Sequence, residues 1–103
     1  MNDTVNYQRI FCERLKSARL AKGLSQKKLG ILAGLDEFVA STRINRYEKG
    51  VHQAGIEVVH QLALALDVPS AYFYVADEQL AQVVLSWNQL DSDTRAKIMA
   101  LIS

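Results

Sequence analysis

Several features that would each carry a strong functional signal are scarce or missing in this chain. Of its 103 residues only Cys12 is a cysteine, which excludes an internal disulfide and fits a reducing compartment. No run approaches the roughly 20 apolar residues that a bilayer-spanning helix needs. The polar start Met1-Asn2-Asp3-Thr4 does not read as a signal peptide, so no membrane association and a cytoplasmic location are expected. His52 and His60 stand eight apart with no cysteine cluster beside them, which is not a zinc pattern. No glycine-rich phosphate loop, serine elbow or carboxylate pair rises above chance, and no enzyme, metal or other cofactor is expected. Repeats, low-complexity segments and convincing period-2 strands are also missing.

The charge is present but unevenly spread. A formal net charge of +1 conceals two unlike halves. Residues 1–50 carry ten Lys and Arg against five Asp and Glu, whereas residues 51–103 carry two against six. The first half is therefore +5 and the second −4, an asymmetry that suits a polyanion meeting the first half. A merely solvated face is the other reading of such a charge run.

Half the residues are apolar, and their spacing is helical almost throughout. One helix is expected from about Gln8 to Lys22, with Phe11, Leu15 and Ala18 on one face and Cys12 beside them as a small hydrophobe. Gly23 ends it, and Ser25 caps a short second helix from Gln26 to Ala33. Leu29 and either Leu32 or Ala33 face inward from that second helix. After Gly34, Asp36 caps a third helix, about Glu37 to Lys49, that Gly50 closes. Its core stripe is Ala40, Ile44 and Tyr47. A fourth helix, Ile56 to Leu66, buries Val59, Leu62, Ala63 and Leu66. Pro69 or Ser70 starts a short fifth through Tyr72 and Phe73. A sixth, Asp77 to Gln89, shows Leu80, Val83, Val84 and Trp87, and Asp91 or Ser92 caps a seventh with Ile98, Met99, Leu101 and Ile102. The expected fold is all-α, a five-helix bundle extended by one or two C-terminal helices.

Two helices joined by a tight turn near Gly34 form a helix-turn-helix frame. Arg14-Leu15-Lys16-Ser17-Ala18-Arg19-Leu20-Ala21-Lys22-Gly23-Leu24-Ser25-Gln26 resembles the phage-repressor or Cro-like family, also called the xenobiotic-response-element regulators. Leu29, Ala33-Gly34-Leu35, Arg43-Ile44-Asn45-Arg46-Tyr47-Glu48-Lys49-Gly50 and Leu62-Ala63-Leu64-Ala65-Leu66-Asp67-Val68 continue the likeness, which covers roughly residues 9–74. The resemblance implies a sequence-specific transcriptional regulator, a repressor, with residues 1–76 as DNA-binding domain and 77–103 as a helical extension for packing or dimerisation. It implies double-stranded DNA as partner; the two-fold geometry of helix-turn-helix dimers and the shortness of the chain lead to the expectation of a homodimer on a palindromic operator. Gln26 and Lys27 at the start of the second helix are placed near phosphate. Ser41, Thr42, Arg43, Asn45 and Arg46 occupy reading positions, with Arg46 and Thr42 preferred as base readers. Arg43 and Asn45 remain open between base and phosphate. Lys49 and the loop from Val51 to Ala54, His52 included, follow where phosphate is touched.

Arg14 lies three residues after Phe11 and four before Ala18, so it turns toward the buried side. A buried guanidinium needs a carboxylate partner, and the family places Glu48 opposite, so an Arg14–Glu48 ion pair is expected. Gly34 and Gly50 are sixteen residues apart, about four more than the family spacing. Either Glu37-Phe38-Val39-Ala40 extends the third helix or these residues form a longer turn. Gly30 stands where the family has Ala, and close packing of the second helix on the third would explain it. Two rival functions remain: an antitoxin-type or adaptor protein that binds a partner protein, and a non-specific nucleoid or RNA binder.

Overall fold

The computed structural model describes residues 4–103, so Met1-Asn2-Asp3 lie outside the described residues. The described residues form helices α1 (Tyr7–Ala21), α2 (Gln26–Leu32), α3 (Ala40–Lys49) and α4 (Ile56–Leu66). A 3-10 helix (Ser70–Tyr74) follows, then α5 (Glu78–Trp87) and α6 (Ser92–Ile102). No strand occurs among them. The breaks fall where the chain chemistry puts them. Ser25 accepts the Lys28 N–H at 3.0 Å as N-cap of α2. Gly34 and Gly50 take left-handed φ values of 89° and 74°, letting the chain reverse while late helix carbonyls accept N–H groups from beyond. Asp67 does the same at φ 55° without being glycine, a conformation its short polar side chain tolerates.

The core lies where the periodicity puts it. Phe11, Leu15 and Ala18 of α1 meet Leu29 and Ala33, Ile44 and Tyr47, and the α4 stripe Val59, Leu62, Ala63 and Leu66. Phe73 is fully buried, edge-on to Phe11 with ring centroids 5.2 Å apart. Burying such a ring contributes about 1.5–3 kcal/mol. Leu32 is exposed, so Ala33 fills the inward position at the end of α2.

The third helix starts later than the expected Glu37. Residues 37–39 are a turn, and α3 begins at Ala40. Asp36 does not cap the helix. Its carboxylate accepts the Phe38 N–H at 2.8 Å and its carbonyl accepts the Val39 N–H at 3.1 Å. This local closure competes with helix, as Asx turns do. Gly30 decides the rest. A Cβ there would lie 2.6 Å from the Ala40 Cβ and 3.0 Å from the Ala40 backbone, so the start of α3 rests directly on α2.

The C-terminal helices add little to the core. Ala81 is the buried residue of α5, and α6 buries none. Val84 and Leu85 pack against the core from outside, whereas Leu80, Val83 and Ile102 are exposed. Arg95 joins the two helices by stacking on Trp87 at 5.3 Å and donating to its carbonyl at 2.8 and 3.1 Å. The radius of gyration is 15.0 Å, above the roughly 13 Å of a compact domain of about 100 residues.

Candidate nucleic-acid interface

The outward face of α3 follows from its buried one. Ala40, Ile44 and Tyr47 are fixed in the core, so a 3.6-residue repeat turns Thr42, Arg46 and Lys49 away from it. All three are exposed, as is Ser41 at the N-terminal end. These are side chains with donors suited to base edges and phosphate. Arg43 sits on the flank instead. Its guanidinium stacks 5.7 Å from the Tyr47 ring and donates to the Tyr47 hydroxyl, so it is half-buried.

Asn45 and Gln26 belong to a network that locks α3 to its neighbours. The Asn45 amide donates to Gln26 Oε1 at 3.5 Å, and Gln26 Nε2 donates to Glu48 Oε1 at 3.2 Å. Glu48 also accepts from Arg19, at 2.6 Å from Nε and 3.1 Å from Nη2. Arg19 gives its remaining guanidinium nitrogen to the Leu24 carbonyl at 2.9 Å. Both charges of this pair are almost entirely out of solvent, with side-chain exposures of 11% and 4%. The Glu48 hydrogen bonds raise the already high pKa of Arg19, so the guanidinium stays charged. Lys27 and Lys28 stay exposed beside Gln26.

The expected Arg14–Glu48 pair is therefore replaced by Arg19–Glu48. On α1, Arg14 and Arg19 flank the core stripe on opposite edges. The edge facing α3 is the one bearing Cys12 and Arg19, seven residues apart. Cys12 Sγ donates to the Tyr47 carbonyl at 3.1 Å, and burial raises its thiol pKa. Arg14 faces the other way. It donates to the Val75 carbonyl at 2.7 Å and to both Glu78 oxygens at 3.1 and 3.2 Å, and lies 5.6 Å from the Tyr72 ring centroid. The i, i+7 spacing puts Cys12 and Arg19 on one edge of α1, and only their contacts with Tyr47 and Glu48 show that this edge is the one facing α3.

Beyond α3, Gln8 Nε2 holds the Gly50 carbonyl at 3.0 Å. The N–H groups of Val51 and His52 turn back to the Arg46 carbonyl at 3.0 and 3.3 Å. Those two backbone donors are thus already engaged. The His52 side chain is exposed.

A bundle in which α2 and α3 are joined by the turn of residues 33–39, with a polar third-helix face held outward by a buried ion pair, defines a helix-turn-helix protein. A helix-turn-helix family model matches residues 15–73, and the chain belongs to this Cro/C1-type family of DNA-binding regulators. The crystal structure of transcriptional regulator BswR is similar. Its sequence is 41% identical and its TM-score is 0.83, with 88% of this chain and 90% of that one covered. No curated protein sequence matches the chain.

Proposed function

We propose that the chain is a sequence-specific transcriptional repressor that inserts α3 into the major groove and acts in the cytoplasm as a homodimer on a palindromic operator. One observation carries this reading: Thr42, Arg46 and Lys49 share an exposed face on a helix whose opposite side is locked by Arg19, Glu48 and Gln26. Pre-set donors on a rigid element suit base readout, because little side-chain and backbone freedom is lost on binding. Arg46 and Thr42 read bases. Lys49 and Lys27 hold phosphate, with Ser41 at the groove edge. Arg43 is a phosphate contact reached along the Tyr47 ring, while Asn45 and Gln26 act as one hydrogen-bonded unit toward the backbone.

Dimerisation is supported by apolar residues that the monomer leaves uncovered on the C-terminal extension, residues 77–103. Leu101 is 85% exposed and Ile102 71%, a wasteful arrangement for a short monomer with a small core. Two-fold pairing would set two α3 helices about 34 Å apart, one duplex turn. The same apolar surface is what favours the adaptor reading, in which it binds a different protein.

The test is selection from random duplexes with the full chain, followed by affinity against salt. A palindromic consensus, and protein–DNA stoichiometry of two by light scattering, are the expected results. Equal binding to competitor DNA would sink the specific reading, and a stable monomer on its operator would sink the dimer.

A further inference from the structure

We propose that Phe38 is a specificity residue that reads the 5-methyl group of a thymine, an inference that rests on α3 being the groove-reading helix. Phe38 is the most exposed large apolar side chain of the described residues, at 89%. It lies in the extra turn between α2 and α3, two residues before Ala40. The turn is a fixed mount and not a slack loop. Asp36 accepts the Phe38 N–H through its carboxylate and the Val39 N–H through its carbonyl. The next residue along, Ala40, is pinned against Gly30.

The location restricts what Phe38 can meet. The N-terminal end of a reading helix is the end that approaches base edges. Asp36 and Glu37, both exposed beside Phe38, repel phosphate and can only accept from a base edge, as from cytosine N4, so the apolar contact of this turn falls to Phe38. The thymine methyl is the apolar group that the major groove displays, and Phe is among the side chains that contact it. An aromatic ring held at this place has that methyl as its complement. Without such a partner its exposure forgoes a large apolar burial.

Deoxyuridine differs from thymidine by that one methyl, which makes the test direct. Full-length protein, Phe38→Ala and Phe38→Leu are titrated against a selected duplex in which each thymine is replaced singly by uracil. The native protein should bind about fourfold more weakly when one particular thymine per half-site loses its methyl, the size expected for removing one apolar methyl contact. Phe38→Ala should bind thymine and uracil duplexes alike at that position, and Phe38→Leu should keep part of the discrimination. The inference is overturned if no thymine separates native protein from Phe38→Ala. It is also overturned if Phe38→Ala instead changes the oligomeric state seen by light scattering, which would make Phe38 a protein contact. Arg46→Ala, run in parallel, distinguishes the two readings. Loss of preference there with no methyl effect removes only the Phe38 assignment, whereas no sequence preference in any variant removes the groove-reading helix itself.

Discussion

Arg14 and Arg19 are five residues apart on one helix, and their side chains serve different neighbours. The carboxylate partners differ as much. Glu48 is buried with Arg19, while the Glu78 side chain opposite Arg14 is 82% exposed. Removing one member of a buried pair leaves the other uncompensated, at a cost of about 3–5 kcal/mol. Glu78 is screened by solvent and Arg14 keeps the Val75 carbonyl without it, so that pair contributes less, about 0–1 kcal/mol as surface pairs do. Glu48→Ala should therefore lower stability in urea several-fold more than Glu78→Ala does. A double-mutant cycle should show coupling of Arg19 to Glu48 and none of Arg14 to Glu48 beyond about 0.5 kcal/mol. Coupling of Arg14 to Glu48 above that level would contradict the geometry. On the outward side, Arg46→Ala should weaken binding to the selected duplex by about 1–3 kcal/mol and relax preference at one base pair. Lys49→Ala should weaken all sequences alike and flatten the salt slope by about one unit. Unchanged affinity and preference in Arg46→Ala would move the reading face elsewhere.

Among the elements, the contact between α2 and α3 sets where α3 begins. Alanine is normally the better helix former by about 1 kcal/mol, yet Gly30→Ala places a methyl 2.6 Å from the Ala40 Cβ. The expected net result is destabilisation of about 1–3 kcal/mol, the usual cost of overpacking, seen as a lower thermal midpoint. Ala40→Gly should return only part of it, because the Ala40 backbone is also 3.0 Å from that methyl. A raised midpoint in Gly30→Ala would show that the two helices can separate freely. At the other end of the chain, Asp91 caps α6 by accepting the Thr94 N–H at 2.8 Å. The hydrogen bonds from Thr94 hold its carboxyl below the ordinary aspartate range. A lowered folded-state value favours the ionised form, so the cap's contribution is complete above the unfolded aspartate pKa. It fades as the pH falls through the folded one. Asp91→Asn should keep the cap and abolish this pH dependence in the helicity of α6. A carboxyl titrating at or above the ordinary value by NMR would contradict that assignment.

For the molecule as a whole, the division is between a well-filled bundle and an extension that buries little. No helix among the described residues is long and apolar enough to cross a membrane, so the exposed Leu101 and Ile102 are not accounted for by a span. Replacing both with serine should change the monomer's folding stability by no more than about 0.5 kcal/mol each, as for surface positions. The same change should shift the light-scattering mass toward monomer and weaken operator binding. A large loss of monomer stability would show instead that these residues pack internally.

The buried stripes of α1 to α4 and most of their ends were legible from residue order alone. Each of those stripes repeats within one short helix, and those ends rest on nearby residues such as Ser25, Gly34 and Gly50. Such signals need only neighbours a few residues away. Three things required the assembled chain: which edge of α1 meets α3, hence Arg19 and not Arg14 for Glu48; where α3 starts, which depends on Gly30 touching Ala40; and that α6 finds no core to enter. Each depends on distances between segments far apart in the chain, and periodicity within a helix carries no information about which neighbour its flank will face.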